Sequence, residues 1–323
     1  MMAKIALLFP GQGAQYVGMG KGLYDKSKVA RETFEEAADI LGFDVGKLCF
    51  ESSTQELTMT KNAQPAILTV SVAAYREYVL KSGIQPLYAT GHSLGEISAL
   101  TCAGAIRFAD ALKIVHQRGR FMQDDVPAGE GAMAAIGDAD FDLVDYECKR
   151  LDGDGHFVAI SNYNSPNQIV ISGYKHAVEQ ICTKLKLGGA KTNMLKVSVP
   201  FHTILLQTAA DKFRAELGKY SYHKLQWPVI SNVTAQPYED EGRIIDNLTN
   251  QITHPVCWKE SMDFLRAQGV EVAIDTGPQS IVKNLMKANA SDIKAFTCDR
   301  DDDLRAIATF LSDDSGNLSV NVP

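Results

Sequence analysis

The residues best suited to chemistry are Gly91-His92-Ser93-Leu94-Gly95, a serine between two glycines. The residues before this stretch predict a short strand and those after it a helix, so the serine falls on a strand-to-helix turn. On such a turn a nucleophilic hydroxyl projects from the backbone, and the glycines let strand and helix pass closely. The N–H of Leu94, at the helix N-terminus, could then stabilise an oxyanion. The structural alternative is a glycine-rich turn whose serine caps the helix.

A nucleophilic serine needs a general base, and seven histidines are available. His92 neighbours the serine on an extended segment, where adjacent side chains diverge. His202 follows an apolar Val-Pro-Phe segment, and a histidine there is more often structural. Because the serine turn lacks another obvious base, we assign the role to His202. Asp211 and Asp275 fit a triad by sequence order alone, and a carbonyl oxygen could orient the histidine instead.

A further candidate functional residue, Arg118, lies on the helix predicted over Phe108–Met122. Arg118 stands three and four residues after Val115 and Ile114, so it borders or enters the apolar face of this helix. Gly119 within the helix is unfavourable by about 1 kcal/mol relative to alanine. A guanidinium at a pocket edge suits a carboxylate, which it binds through two parallel hydrogen bonds. Spacing alone nevertheless favours a surface arginine with a buried stem.

The surrounding elements alternate between strand and helix, which favours an α/β layered fold. Strands are predicted at Lys4–Phe9 and Leu87–Thr90, and the helices at residues 28–41, 62–79, 94–105 and 108–122. The middle of the chain follows the order β-α-β-β-α-β, the ferredoxin-like unit. After Pro200 the α/β pattern resumes with strands at 228–232 and 271–275 and helices at 205–217, 258–268 and 280–287.

Composition excludes several classes of function. The formal net charge is -7, from 32 basic and 39 acidic residues, which argues against nucleic acid as a partner. Six cysteines form no C-x-x-C pair and no cluster with histidines, so we expect buried, reduced thiols and no metal site. The apolar run at Lys4–Phe9 indicates a first strand rather than a signal peptide. No apolar stretch of the sequence is long enough to span a bilayer. We expect a cytoplasmic protein.

Several motifs together resemble the malonyl-CoA:acyl-carrier-protein transacylase family, including the free-standing acyltransferases of polyketide synthesis. The resemblance runs from Ala3 to about Leu304. The motifs are FPGQGAQYVGMG at 9–20, NAQPAIL at 62–68, GHSLGEISAL at 91–100, QRGRFMQ at 117–123, GAMAAI at 131–136, NYNSPNQIVISG at 162–173, VSVPFH at 197–202, SNVTA at 231–235 and QITHPVCW at 251–258.

The resemblance implies a role for each matching residue. Ser93 would be acylated and His202 would be its base, held by the backbone carbonyl of Gln251. The N–H groups of Gln12 and Leu94 would form the oxyanion hole. The remaining substrate contacts would come from Arg118 as the clamp for the malonyl carboxylate, from Gln64 and His92 on the site wall, and from Phe201. Bulk at Phe201 is typical of members that take malonyl rather than methylmalonyl, although one methyl gives only ~1–3 kcal/mol of discrimination.

The fold implied is an α/β-hydrolase-like large domain with a parallel sheet, residues 1–127 and 200–312. A small ferredoxin-like domain, residues 128–199, is inserted into it, and a polar tail follows at 313–323. The expected protein is a monomer without cofactor or metal. It would transfer malonyl from malonyl-CoA to the phosphopantetheine thiol of an acyl carrier protein by a ping-pong mechanism. The lysine-rich segment 183–196 could dock the acidic carrier, or simply be a solvated helix end and loop.

Three other interpretations stay open at this point. An acyl hydrolase that clears carrier proteins would need the serine and histidine but no carboxylate clamp, so Arg118 disfavours it. A catalytically silent docking module would tolerate loss of Ser93 or His202, and both are present. A nucleotide-binding protein is the most remote, because Pro10-Gly11-Gln12-Gly13 matches no phosphate-loop spacing.

Overall fold

The computed structural model describes residues 3–127, 129–151, 156–298, 303 and 307. The strands are β1 (Ile5–Phe9), β2 (Tyr88–Gly91), β3 (Gly131–Gly137), β4 (Val158–Ser165), β5 (Gln168–Tyr174), β6 (Lys191–Met194), β7 (Val229–Ile230), β8 (Val272–Asp275) and β9 (Lys294–Thr297). The helices are α1 (Lys21–Lys26), α2 (Lys28–Leu41), α3 (Val45–Glu51), α4 (Thr54–Thr58), α5 (Thr60–Ser82), α6 (Leu94–Cys102), α7 (Phe108–Asp125), α8 (Phe141–Leu151), α9 (Lys175–Leu187), α10 (Gln207–Leu217), α11 (Ile244–Thr253), α12 (Trp258–Ala267) and α13 (Ile281–Asn289).

The larger sheet is parallel and covered on both faces. Its strand order is β7-β2-β1-β8-β9, with β1 at the centre. Side chains alternate along a strand, so Leu7 enters the core formed with α5, α6 and α7 while Leu8 enters the core formed with α12 and α13. Burial on both faces explains why β1 reads as an unbroken apolar run.

The smaller sheet is antiparallel, in the order β4-β5-β3-β6. Helices α8 and α9 pack on one face of it around Val144 and Ile181. On the other face Met133 and Val170 join the core of the larger sheet. The predicted fold class, an α/β parallel sheet with a ferredoxin-like unit, is therefore confirmed. The boundaries proposed for the two domains stay predictions, and the tail at 313–323 lies outside the described residues.

The sequence patterns placed most elements well, but some expectations were wrong. The helix α5 begins at Thr60, two residues before the predicted start at residue 62, so Pro65 lies in its second turn. The strand β4 extends to Ser165, so only Pro166-Asn167 separates it from β5. Helix α11 was not predicted at all, although Ile244, Leu248 and Ile252 recur at the four-residue spacing of a buried helical face.

The serine turn depends on two close backbone approaches. A Cβ on Gly91 would lie 1.9 Å from the carbonyl carbon of Gly95, and a Cβ on Gly95 would lie 2.0 Å from the carbonyl oxygen of Phe9. Both obstacles are backbone atoms, which cannot rotate away. Helix α6 therefore starts directly against the end of β1, and only glycine fits at the two positions.

We predict that Gly95→Ala destabilises the protein by about 3 kcal/mol or more, because the methyl group must displace β1 or α6. Gly22→Ala is the matched control: Gly22 is exposed in α1, and a Cβ there meets nothing within 4 Å. Its free energy of unfolding should be unchanged or rise by up to about 1 kcal/mol. Urea denaturation followed by circular dichroism compares the two variants, and equal midpoints would contradict the prediction.

Candidate active site

Ser93 occupies a strained turn at the carboxyl end of β2. Its backbone has φ 53° and ψ −108°, although it is not glycine, and it immediately precedes α6. Its side chain makes no capping bond to that helix. Instead its N–H donates to Asn232 Oδ1 at 2.7 Å. The structural alternative, a serine that caps the helix, therefore does not describe this residue, and backbone strain of this kind is typical of functional sites.

His202 lies against Ser93. Its Nε2 is 2.9 Å from Ser93 Oγ, and its Nδ1 is 2.7 Å from the backbone oxygen of Gln251. A carbonyl can only accept, so Nδ1 carries the proton and Nε2 is free to accept one from the serine. The histidine is thus oriented by a carbonyl. The two acids considered from sequence lie elsewhere: Asp211 accepts from Gln207, and Asp275 accepts from the N–H of Lys283.

The protonation state of His202 follows from its surroundings. Burial and, to a smaller extent, the positive charge of Arg118 together lower the pKa of the imidazole from its usual 6.5 to about 3. The bond to Gln251 opposes this only in part. At neutral pH the ring is therefore uncharged, which is the form able to take a proton from Ser93.

Arg118 is buried beside the serine, with 1% of its surface exposed, so the surface position favoured by spacing alone is wrong. Its Nη2 lies 3.2 Å from Ser93 Oγ and 2.8 Å from Gln251 Oε1, and its Nη1 lies 3.0 Å from Gln64 Oε1. Among the described residues its Nε has no hydrogen-bond partner. Burial lowers the pKa of the guanidinium to about 10, so it stays charged at neutral pH.

Gly119 explains how Gln64 and Arg118 come together. A Cβ at Gly119 would lie 2.7 Å from the carbonyl oxygen of Thr60 and 2.8 Å from Cα of Lys61. Helix α7 therefore touches the first turn of α5 backbone to backbone. The glycine that is unfavourable for the helix itself permits the contact that buries the arginine.

Gln12 and Leu94 lie at the ends of the elements that frame the serine. Phe9 of β1 pairs with Gly91 of β2, so the loop holding Gln12 runs beside the serine turn. Gln12 is half-buried, and its side chain donates to Thr60 Oγ1 at 3.4 Å. Leu94 is the first residue of α6, so its N–H has no acceptor within the helix.

His92 and Phe201 are less directly connected to the serine. His92 Nε2 lies 3.0 Å from Asn164 Oδ1 on β4, and its ring packs 5.4 Å from that of Trp258. It thus links the serine turn to the smaller sheet. Phe201 is buried immediately before His202. The contacts described above join Ser93, His202, Gln251, Arg118 and Gln64 into one cluster.

Sequence reasoning missed two polar residues of this cluster, Asn232 and Glu96. Asn232 follows β7, the neighbour of β2, and its Nδ2 donates to the carbonyl of Gly91 at 2.7 Å. Glu96 is fully buried behind the turn. A signal for Glu96 was present, since Ser93-x-x-Glu96 has the spacing of a helix capping box.

The described residues contain no group of three or more histidine, cysteine or acidic side chains that could hold a metal ion. No helix in the described ranges is long and apolar enough to cross a membrane.

A strained serine beside a neutral histidine and a buried cation forms an arrangement suited to acyl-group chemistry. A family model described as acyl transferase domain matches residues 6–300. The chain therefore belongs to the acyl transferase family.

Curated relatives are consistent with that assignment. The chain is 42% identical over 321 residues to a malonyl CoA-acyl carrier protein transacylase of Bacillus subtilis, covering 99% of this chain and 79% of the relative. It is 42% identical over 287 residues to the transacylase of the same name from Escherichia coli K12, covering 88% and 93%.

The fold of this chain is also similar to those of solved transacylase structures. The malonyl CoA-acyl carrier protein transacylase of Coxiella burnetii has a TM-score of 0.93 at 35% identity, covering 96% of this chain and 98% of its own. A malonyl-transacylase in complex with its type II PKS acyl-carrier protein has a TM-score of 0.92 at 38% identity, covering 95% and 100%.

The lowered pKa of His202 gives a prediction for pH dependence. Because its pKa lies near 3 rather than 6.5, the base stays neutral as the pH falls through 6.5. Labelling of Ser93 by an uncharged fluorophosphonate should therefore change by less than about twofold between pH 7.5 and 5.5. A histidine with the ordinary pKa would lose about tenfold over the same range. Intact-mass spectrometry measures the labelling rate, and an acid limb near pH 6.5 would contradict the prediction.

Proposed function

We propose that this enzyme transfers malonyl from malonyl-CoA to the phosphopantetheine thiol of an acyl carrier protein through an acyl-enzyme on Ser93. The observation that carries the proposal is the position of Arg118. Its buried guanidinium lies 3.2 Å from the Ser93 hydroxyl, where it can bind the free carboxylate of a malonyl group attached to that serine.

The acylation half-reaction uses the contacts of His202. His202 Nε2 takes the proton of Ser93 Oγ as the oxygen attacks the thioester carbonyl. The oxyanion is stabilised by the N–H groups of Gln12 and Leu94; removing such a donor raises barriers by about 3–4 kcal/mol. The C–S bond then breaks, and His202 returns its proton to the leaving coenzyme A sulfur.

The second half-reaction runs in reverse with a different thiol. The phosphopantetheine sulfur attacks the Ser93 ester while His202 takes the thiol proton. The C–O bond to Ser93 breaks, and His202 returns that proton to the serine oxygen. No oxidant, metal or cofactor enters either step, so none is part of the proposal.

The electrostatics of Arg118 favour a dicarboxylic acyl group over an uncharged one. A buried cation is expensive unless it is paired. Its neighbours Gln64 and Gln251 supply neutral oxygens only, and its Nε has no partner in the described part of the chain. A malonyl carboxylate would complete the pairing. We further propose that the buried Phe201, beside His202, disfavours a methyl branch on the acyl chain.

The acceptor is proposed from the relatives, which are named for an acyl carrier protein. The lysine-rich segment 183–196 gives only weak support for docking of an acidic carrier protein. Lys184 pairs with Glu147 at 2.6 Å and Lys191 with Asp138 at 2.8 Å, which leaves Lys186 and Lys196 as exposed positive charges without those partners. We further propose a cytoplasmic monomer that supplies extender units for fatty-acid or polyketide synthesis.

The acyl hydrolase alternative is not favoured by Arg118 or by the names of the relatives. The two functions differ in the second nucleophile. We would incubate the enzyme with malonyl-CoA and follow it by intact-mass spectrometry, then add a phosphopantetheinylated carrier protein. Malonyl on Ser93 that moves to the carrier supports transfer, whereas an adduct that decays to free malonate with the carrier unloaded would establish hydrolysis.

The carboxylate clamp is tested by Arg118→Ala. Losing one partner of a buried charge pair is worth about 2–5 kcal/mol, so acylation by malonyl-CoA should slow by on the order of 100-fold. Acylation by acetyl-CoA should change far less, since acetyl has no carboxylate to lose. Arg120→Ala is the control, because Arg120 is exposed on the same helix. Quenched single-turnover assays measure both acylation rates. An equal loss of rate for malonyl-CoA and acetyl-CoA would show that Arg118 is not the clamp for the carboxylate.

A further inference from the structure

The buried carboxyl group of Glu96 lies behind the site and has no role in the reaction proposed above. Glu96 is fully buried in the first turn of α6. Its Oε2 accepts from Gln251 Nε2 at 2.6 Å and from the N–H of Asn232 at 3.0 Å. Its Oε1 accepts from the hydroxyl of Tyr238. An ionised carboxylate in this position is costly, so its retention needs an explanation.

The donors around Glu96 fix the role of its Oε2. The Asn232 N–H and the Gln251 amide nitrogen can only donate, so Oε2 is an acceptor that carries no proton. Burial raises the pKa of this carboxyl above its usual value, and the bonds from Tyr238, Asn232 and Gln251 lower it only in part. Glu96 therefore acts as an acceptor at the centre of a set of donors.

The orientation of the Gln251 amide is also fixed. Arginine has no acceptor, so the amide oxygen must face Arg118 Nη2, at 2.8 Å. The amide nitrogen must then face Glu96, at 2.6 Å, and it also reaches the carbonyl oxygen of Ser93 at 3.0 Å. One neutral amide thus bridges the buried guanidinium of Arg118 and the buried carboxyl group of Glu96, with its oxygen toward the first and its nitrogen toward the second.

Gln251 therefore has three attachments to the site. Its backbone oxygen holds His202, its side-chain oxygen holds Arg118, and its side-chain nitrogen holds the backbone of Ser93. The group that anchors this side chain is the carboxyl of Glu96, which accepts from Gln251 Nε2 at 2.6 Å. A shift of Gln251 would move the base and the cation together.

The sequence position of Glu96 supports a role beyond helix stability. In a capping box the N-cap serine and the glutamate three residues later bond each other's backbone N–H groups. Here neither bond is made: Ser93 Oγ faces His202, and Asn232 Oδ1 receives the Ser93 N–H in place of Glu96. Both side chains with the capping spacing are thus turned toward the site.

We propose that Glu96 is a positioning residue, which acts through the side chain of Gln251 to hold His202 against Ser93 and to place the Arg118 guanidinium. The His202 part stands on geometry alone, and the Arg118 part rests on the proposed transfer of malonyl.

The test compares Glu96→Gln with wild type in two assays. Labelling of Ser93 by an uncharged fluorophosphonate reports on the serine and histidine whatever the natural acyl group. The ratio of single-turnover acylation rates for malonyl-CoA and acetyl-CoA reports on Arg118. Outer-shell partners and small misplacements typically change rates by 10–100-fold, so we expect labelling to fall by on the order of 10-fold and the malonyl-to-acetyl ratio to fall as well.

Tyr238→Phe is the matched control. It removes one donor to Glu96 but keeps the carboxylate and its bond to Gln251, so both assays should stay within about twofold of wild type. Thermal unfolding is measured on every variant, because a merely structural role would lower the melting temperature and leave both rates of the folded protein unchanged. The proposal would be overturned if Glu96→Gln lowered the melting temperature and left both rates unchanged. It would also be overturned if Tyr238→Phe reduced the labelling rate and the malonyl-to-acetyl ratio as much as Glu96→Gln does.

A further variant keeps the test decisive if Glu96→Gln does not fold. Gln251→Met retains the backbone carbonyl and removes the amide bridge, so it should lower both readouts; unchanged values would mean that the bridge transmits nothing. The proposed function can fail separately. A wild-type enzyme that takes no malonyl would refute it, while the fluorophosphonate comparison would still decide whether Glu96 positions His202.

Discussion

The buried positive charge of Arg118 is the constraint on which the site depends. A guanidinium removed from water needs acceptors, and here they are the amide oxygens of Gln64 and Gln251 and the hydroxyl of Ser93. These neutral groups satisfy its donors only in part and do not cancel its charge. The remaining field has two consequences. It favours an anion beside Ser93, and it adds to burial, the larger cause, in lowering the pKa of His202 so that the imidazole is neutral.

The second constraint is conformational. Ser93 and His202 both have left-handed backbone angles, with φ of 53° and 60°, although neither is glycine. Such conformations cost about 1–3 kcal/mol each and persist only when their surroundings hold them. At Ser93 the restraint comes from the close passage of α6 against β1 and from Asn232. At His202 it comes from the turn itself, where Thr203 Oγ1 donates to the carbonyl of Pro200 at 2.7 Å. The protein itself thus holds the serine hydroxyl and the imidazole in place, without a bound ligand.

Local patterns were sufficient to predict much of this arrangement. The bounds of α2 match the helix predicted at 28–41, α8 and α9 are the two helices of the predicted β-α-β-β-α-β unit, and the turn at Ser93 was indicated by its glycines and the flanking strand and helix. What the sequence could not supply was contact between distant segments. The burial of Arg118 depends on α5 meeting α7 at Gly119, and spacing on α7 alone favoured the opposite result. Asn232 and Glu96 were missed for the same reason, because their partners lie more than a hundred residues away.

The use of a carbonyl rather than an acid behind His202 follows from the same electrostatics. A carboxylate at the position of the Gln251 carbonyl would lie close to Arg118 and would offer it the anion that we propose the substrate provides. It would also raise the pKa of His202 and favour its charged form. A carbonyl orients the ring equally well and adds no charge. The carboxyl of Glu96 is instead held one amide away from the guanidinium, where it can anchor Gln251 without direct contact with Arg118. The absence of an acid behind His202 and the clamp that we propose for an acidic acyl group therefore have the same cause, which is the uncancelled charge of Arg118.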